Sequence, residues 1–174
     1  MTRTVRGAAS ISLPIEVCWQ NLRDLTRAKH YVPGLSDTVI TTEAKEGVGA
    51  SRIVTHRQFG EMNETVVEWD ERCGMTLRLH KGDKPATPFK EAFFRYELRP
   101  AAASEDAARA CVIHTSLRYE LPFGFLGRLA DRAFMGRMFR QNVIDCAVCL
   151  AEYYETGEPV PASEIPRLRA NSLV

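Results

Sequence analysis

Arg137 and Arg140 interrupt the apolar stripe of the longest helical pattern in this chain. A guanidinium in apolar surroundings is suited to gripping an anionic group through paired N–H donors. On a uniform helix at about 100° per residue both arginines fall inside the stripe, while Phe134, Met135, Met138 and Phe139 fall outside it. Two arrangements satisfy this pattern. Either the arginines are buried and hold the anionic group of a ligand, or the helix bends at Gly136, turning the Phe and Met side chains inward and the arginines to solvent. The bend avoids the several kcal/mol that an unpaired buried charge costs. Arg57, beside His56, is a third cationic candidate. It lies in residues 50–59, whose inward face stays unresolved because Ile53 and Val54 both look buried.

The remaining reactive residue types do not converge. His30 lies on a short helix, His80 at a strand end and His114 on a face read as wet, where lone histidines are surface residues more often than general bases. Carboxylates are scattered without a pairing, and no Gly-rich phosphate loop or nucleophile motif occurs. Cys146 and Cys149 form a CxxC, but in mid-helix and without a second pair, so no metal or redox role is assigned. The five cysteines read as small buried hydrophobes in a reducing compartment. No catalytic residue, metal ligand or cofactor is expected. Tyr96, Thr115 and Tyr119 are the informative polar set, since buried hydroxyls need partners that a ligand or water would supply.

The elements that must position these residues follow from periodicity. Leu126, Leu129, Ala130, Ala133, Val143, Ile144, Ala147, Leu150, Ala151 and Tyr154 recur at three-and-four spacing, bounded by Pro122 and Gly124 before and Gly157, Pro159 and Pro161 after. They predict one helix over Leu126 to Tyr154, roughly 40 Å long. A first strand over Thr4 to Leu13 precedes a helix over Pro14 to Leu25 and a second short helix from Thr26 that ends near Pro33-Gly34. The period then changes to two, with strands at Thr38 to Glu43, Ala50 to Phe59, Asn63 to Arg72, Met75 to His80, Phe89 to Arg99 and Arg109 to Leu121. Short links between them favour antiparallel hairpins. Alternation turns one face inward: Val67 and Trp69 opposite Glu64, Glu68 and Asp70; Met75, Leu77 and Leu79 opposite Arg78 and His80. The same rule puts Ala92, Phe94, Tyr96 and Leu98 inward, with Cys111, Ile113, Thr115, Leu117 and Tyr119.

A chain of 174 residues fits one domain, here read as residues 1–156 followed by a C-terminal tail at 157–174 that packs loosely or is a short extension. Hydrophobic residues make up 45% and the net charge is +1, which describes an ordinary globule and excludes an electrostatic nucleic-acid binder. No signal-peptide core and no apolar run of membrane-spanning length occurs, so the expectation is a cytoplasmic protein without stable membrane insertion.

The order strand, two short helices, six antiparallel strands and one long helix resembles the helix-grip fold of the START and birch-pollen-allergen-like superfamily. Within it the chain is similar to the polyketide cyclase/dehydrase and lipid-transport branch. The matching residues are Glu16-Val-Cys-Trp19 with Leu22 to Leu25, Tyr31-Val-Pro-Gly34, Gly47-Val-Gly49 with Arg52, Val67-Glu-Trp-Asp70, and Gly127 to Arg132. The resemblance covers about Arg3 to Glu155. It implies an α+β fold in which a curved seven-stranded antiparallel sheet wraps the C-terminal helix around an apolar cavity. Trp69, Leu77, Phe94, Tyr96, Ile113, Thr115, Tyr119, Phe134 and Met138 would line that cavity, with Tyr31 and Pro33 at its mouth. Arg57, Arg137 and Arg140 are the polar anchors it suggests. Two functions are compatible with it. One is a non-catalytic carrier of a hydrophobic or amphipathic small molecule such as a lipid, quinone or polyketide; the other is a cyclase, aromatase or dehydratase acting in the same cavity without a cofactor. The chain is expected as a monomer or homodimer.

Overall fold

The computed structural model of the protein describes residues 2–101, 110–122, 124 and 134–173. The chain runs β1 (Arg3–Ile11), α1 (Ile15–Leu22), a 3₁₀ turn (Leu25–Arg27), α2 (Ala28–Tyr31), β2 (Leu35–Ile40), β3 (Ser51–His56), β4 (Gly60–Asp70) and β5 (Gly74–Lys81). It continues through the two-residue β6 (Lys84–Pro85), β7 (Glu91–Pro100), β8 (Cys111–Glu120), α3 (Gly136–Thr156) and α4 (Ile165–Arg169). One antiparallel sheet holds the strands in the order β1-β8-β7-β5-β4-β3-β2, and β6 pairs with β5 as an eighth strand beside the expected seven. The predicted first half of the long helix, including Leu126, Leu129, Ala130, Ala133 and the Gly127 to Arg132 motif, lies outside the described residues.

Local chemistry explains the element boundaries. Pro14 precedes α1, where its fixed φ suits helix entry and its missing N–H costs nothing. Asp24 caps the 3₁₀ turn by accepting from the Thr26 N–H at 3.1 Å. Gly157, at φ +78°, ends α3 in the left-handed conformation that glycine adopts without strain. α3 crosses β1 closely: a Cβ on Gly7 would lie 2.8 Å from the Ile144 Cα, so the glycine lets strand and helix backbones meet.

Strands β5, β7 and β8 keep the expected alternation, with Leu77, Tyr96, Ile113 and Tyr119 buried. β4 does not. A bulge between Val66 and Glu68 shifts its register against β5, so Val66 is buried and Val67 exposed, the reverse of the alternating pattern. Before the bulge, Met62, Glu64 and Val66 share the inward face; after it, Trp69 does. On β3 the even-numbered residues Arg52, Val54 and His56 face the same way, and Arg57 is exposed. That answers the ambiguity over residues 50–59 with a charged residue inside the sheet.

α3 resolves the arginine question in favour of solvent. Arg137 and Arg140 are exposed, Phe139 is buried, and Met135 and Met138 pack against the core. Phe134 does not follow them inward; it is 68% exposed. Four cysteines are buried as expected, whereas Cys73 is exposed. The C-terminal segment is tied down, not loose. Leu168 on α4 is buried, Arg169 grips Asp145 of α3 with two hydrogen bonds, and the Leu173 N–H donates to the Ala8 carbonyl at 3.0 Å.

Two apolar clusters form between sheet and helices. One joins Trp19, Leu22 and Leu25 to Met75, Leu77, Leu98, Ile113 and Leu150. The other joins Val5, Leu79, Leu117, Tyr119, Phe139 and Val143.

Candidate functional site

A cavity of about 130 Å³ lies between the sheet and α3, beside the second cluster. β3 contributes Val54 and His56 to its wall, β4 Met62 and Glu64, and β5 Leu79. β7 adds Phe94 and Tyr96, β8 Leu117, and α3 Phe139, Asn142, Val143 and Cys146. Val32 and Pro33 close it from the α2–β2 link, Leu35 from the start of β2, and Phe59 and Phe89 from two loops. The partly exposed lining residues Pro33, Phe59 and Pro88, with exposed Thr87 and Asn142, mark its mouth.

The deep wall carries a charge pair. Arg52, 1% exposed, stands directly across from Glu64 in the β3–β4 register, and its Nε and Nη2 reach Glu64 Oε2 at 2.7 and 2.6 Å. Its Nη1 donates to the Leu25 carbonyl at 2.7 Å. Burial alone would lower the Arg52 pKa; the facing Glu64 carboxylate more than offsets it, and the guanidinium is held protonated. Arg52 does not line the cavity, whereas Glu64 does. The carboxylate is therefore backed by a cation on one side and turned to apolar space on the other.

Neighbouring polar groups are neutral. Burial raises the Tyr96 phenol well above 10, pushes Tyr31 up to about 12 and pushes the Cys146 thiol up to about 12. The Tyr96 hydroxyl lies 3.6 Å from Cys146 Sγ, and Glu64 is close enough to act electrostatically on both. The deep end thus presents the Glu64 carboxyl group, paired with Arg52, and the un-ionised Tyr96 hydroxyl. His56 is a mouth residue whose Nδ1 accepts from the Gln58 and Phe59 N–H groups, and whose ring also bonds the Pro33 backbone. Its burial lowers its pKa from the ordinary 6.5. Among the described residues no group of three His, Cys, Asp or Glu side chains could hold a metal ion, and no helix is long and apolar enough to cross a membrane.

The residues singled out from sequence are distributed unevenly about this cavity. Phe94 and Tyr96 line it, with Pro33 near its mouth. Tyr31 lies behind Tyr96, edge-on with ring centroids 6.1 Å apart. Tyr119 is a layer behind the wall, 4.9 Å from Phe139 and 5.8 Å from Phe89, and Met138 packs on the same cluster. Leu77 and Ile113 belong to the filled cluster, as does Trp69, whose ring meets Trp19 at 5.0 Å. Thr115 spends its hydroxyl on the Val143 carbonyl at 2.9 Å, so its partner comes from the protein itself. Phe134, Arg137 and Arg140 face solvent, and Arg57 lines a separate groove between the α2–β2 link and the C-terminal segment.

Glu64, Arg52 and Phe139 are the site residues that the sequence pattern does not place there, while His56, whose facing the pattern leaves open against Arg57, lies at the mouth. Placing Val54 inward would have brought Arg52 and His56 with it, because residues two apart share a strand face. Glu64 was hidden by the bulge.

A family model described as polyketide cyclase/dehydrase and lipid transport matches residues 2–155. No curated protein sequence matches the chain. Among solved structures, a Thermus thermophilus protein superposes with TM-score 0.64 at 20% identity, over 87% of this chain and 97% of that one. A Nitrosospira multiformis protein gives TM-score 0.62 at 14% identity, over 89% and 98%. Truncated norcoclaurine synthase from Thalictrum flavum gives 0.59 at 16% identity, over 87% and 92%. At these identities the structures share the fold, in which a curved antiparallel sheet grips a long C-terminal helix.

Proposed function

Since the chain belongs to the polyketide cyclase/dehydrase and lipid transport family, we propose that it binds and carries or sequesters a hydrophobic or amphipathic small molecule, of lipid, quinone or polyketide type. The binding place is the cavity between the sheet and α3. One observation supports this most: the cavity joins an apolar, aromatic wall of Phe59, Phe89, Phe94 and Phe139 to a single backed carboxylate, Glu64. A wall of that kind favours an apolar body, and one fixed polar group orients it.

A second reading follows from the same carboxylate. Glu64 and the Tyr96 hydroxyl share one cavity, so a carbonyl compound bound there would meet a proton acceptor and a hydrogen-bond donor together, as cyclase, aromatase or dehydratase chemistry requires. Under this reading Glu64→Gln abolishes turnover of a polyketone while ligand uptake persists. Under the carrier reading no turnover exists to lose.

Phe94→Trp tests the shared premise, because the larger indole occupies space that the ligand would need. Uptake of a fluorescent naphthalene probe should weaken at least about tenfold, about 1.4 kcal/mol, with the fold intact by circular dichroism. Native mass spectrometry of the freshly expressed wild type should show a co-purified small molecule. Unchanged uptake in the variant removes the cavity from the function.

A further inference from the structure

We infer that the deep end of the cavity selects ligands whose polar group donates a hydrogen bond, a hydroxyl or an ammonium, and rejects carboxylates. The inference rests on the proposed ligand-binding reading and adds the chemical class of the ligand's polar end.

Both Arg52 contacts to Glu64 go to Oε2, and among the described residues no hydrogen bond reaches Oε1. A carboxylate oxygen accepts and cannot donate, so the group that completes Glu64 from the cavity side must bring a proton. Tyr96, the other deep polar group, keeps its proton and can turn its hydroxyl either way, so it adapts to the ligand and does not reverse the preference. Among the described residues no lysine or arginine lines the cavity, and Arg52, 1% exposed, is engaged by Glu64, which stands on the cavity side of the pair. An anionic ligand group would therefore meet like charge first, in surroundings where apolar side chains weaken dielectric screening. Phe94, Leu79, Leu117 and Phe139 form the apolar part of the wall and would receive the ligand's body.

The test uses three ligands with one naphthalene ring system and different polar groups: a naphthol, a naphthylmethylammonium and a naphthoate. Each is titrated calorimetrically into the full chain near neutral pH. The naphthol and the ammonium should bind at least about tenfold more tightly than the naphthoate. In Glu64→Gln that preference should shrink to about threefold or less. Because Glu64→Gln leaves Arg52 buried without its carboxylate, the double variant Glu64→Gln with Arg52→Met supplies the same comparison if the single variant does not fold. Naphthoate binding as tightly as the naphthol to the wild type overturns the inference and leaves the ligand-binding reading standing. Failure of all three to bind overturns that reading as well.

Discussion

At the Trp19 end the space between sheet and helices is filled, and at the Phe139 end part of it is open, although large apolar side chains line both. The difference comes from what is inserted. α1 and the 3₁₀ turn drive Trp19, Leu22 and Leu25 against Met75, Leu77 and Ile113, and Glu71 accepts from both the Trp19 and Trp69 indole N–H groups to close the outer edge. At the other end α3 and the Phe89 loop cover the sheet, and Phe139, Phe89 and Tyr119 meet in tilted and edge-on contacts without filling the gap toward Glu64. Aromatic content therefore does not distinguish a core from a binding site; the presence or absence of a second helix over the sheet does.

Arg52 stands at the boundary between the two ends, donating to Leu25 on the filled side and holding Glu64 on the open side. Arg52→Leu should have the largest effect, on the order of 3–5 kcal/mol lost in urea unfolding, because it leaves Glu64 without its buried cation. Adding Glu64→Leu should restore most of that stability and abolish the discrimination between naphthol and naphthoate. A single variant within about 0.5 kcal/mol of wild type would show that the pair does not join the two ends energetically.

Leu77→Ala, in the filled cluster, should cost about 3 kcal/mol and leave probe affinity within about twofold. Phe94→Ala removes a side chain that already borders open space, so it should cost less stability than Leu77→Ala and change probe affinity more. The reverse ranking in parallel denaturation and binding series would dissolve the distinction between core and cavity.

How much of this could be read beforehand depends on how each strand hides or displays its inward face. β5, β7 and β8 alternate without a bulge, so the period alone places Leu77, Tyr96 and Ile113 on the correct face. Alternation reports facing and says nothing of depth, so it does not separate Leu77 and Ile113, in the filled cluster, from Phe94 and Tyr96, at the cavity. β4 misled because its bulge moves the inward register by one residue, exchanging Val67 for Val66 and placing Glu64 inside. Arg52 was legible as part of a motif and illegible as a site residue, since an inward charge looks like a surface one until its partner is seen across the strand pair. The exposed arginines of α3 followed from the cost of burying unpaired charge, but Phe134, outside the stripe with Phe139, did not share its burial.

The cavity mouth should respond weakly to pH. His56 is packed beside Phe59 with ring centroids 4.7 Å apart, and burial lowers its pKa in the fold below the ordinary 6.5. His114, on β8, is shifted the same way by burial and by Arg99. A histidine with a lowered folded-state pKa is more easily protonated when unfolded. Its contribution to stability is therefore complete above about pH 6.5 and declines as the pH falls through that value toward the folded pKa. Carboxylates held below their ordinary range, such as Asp24 and Glu97, lose their contribution at lower pH and do not share this window. Stability by denaturant titration should thus fall between about pH 7 and pH 5, and His56→Gln should flatten part of that slope. Probe affinity should weaken over the same window in the wild type more than in His56→Gln, because the protonated ring can no longer accept from the Gln58 and Phe59 N–H groups that shape the mouth. A wild-type slope of the opposite sign, or one that His114→Gln removes entirely, would take His56 and the mouth out of the pH response.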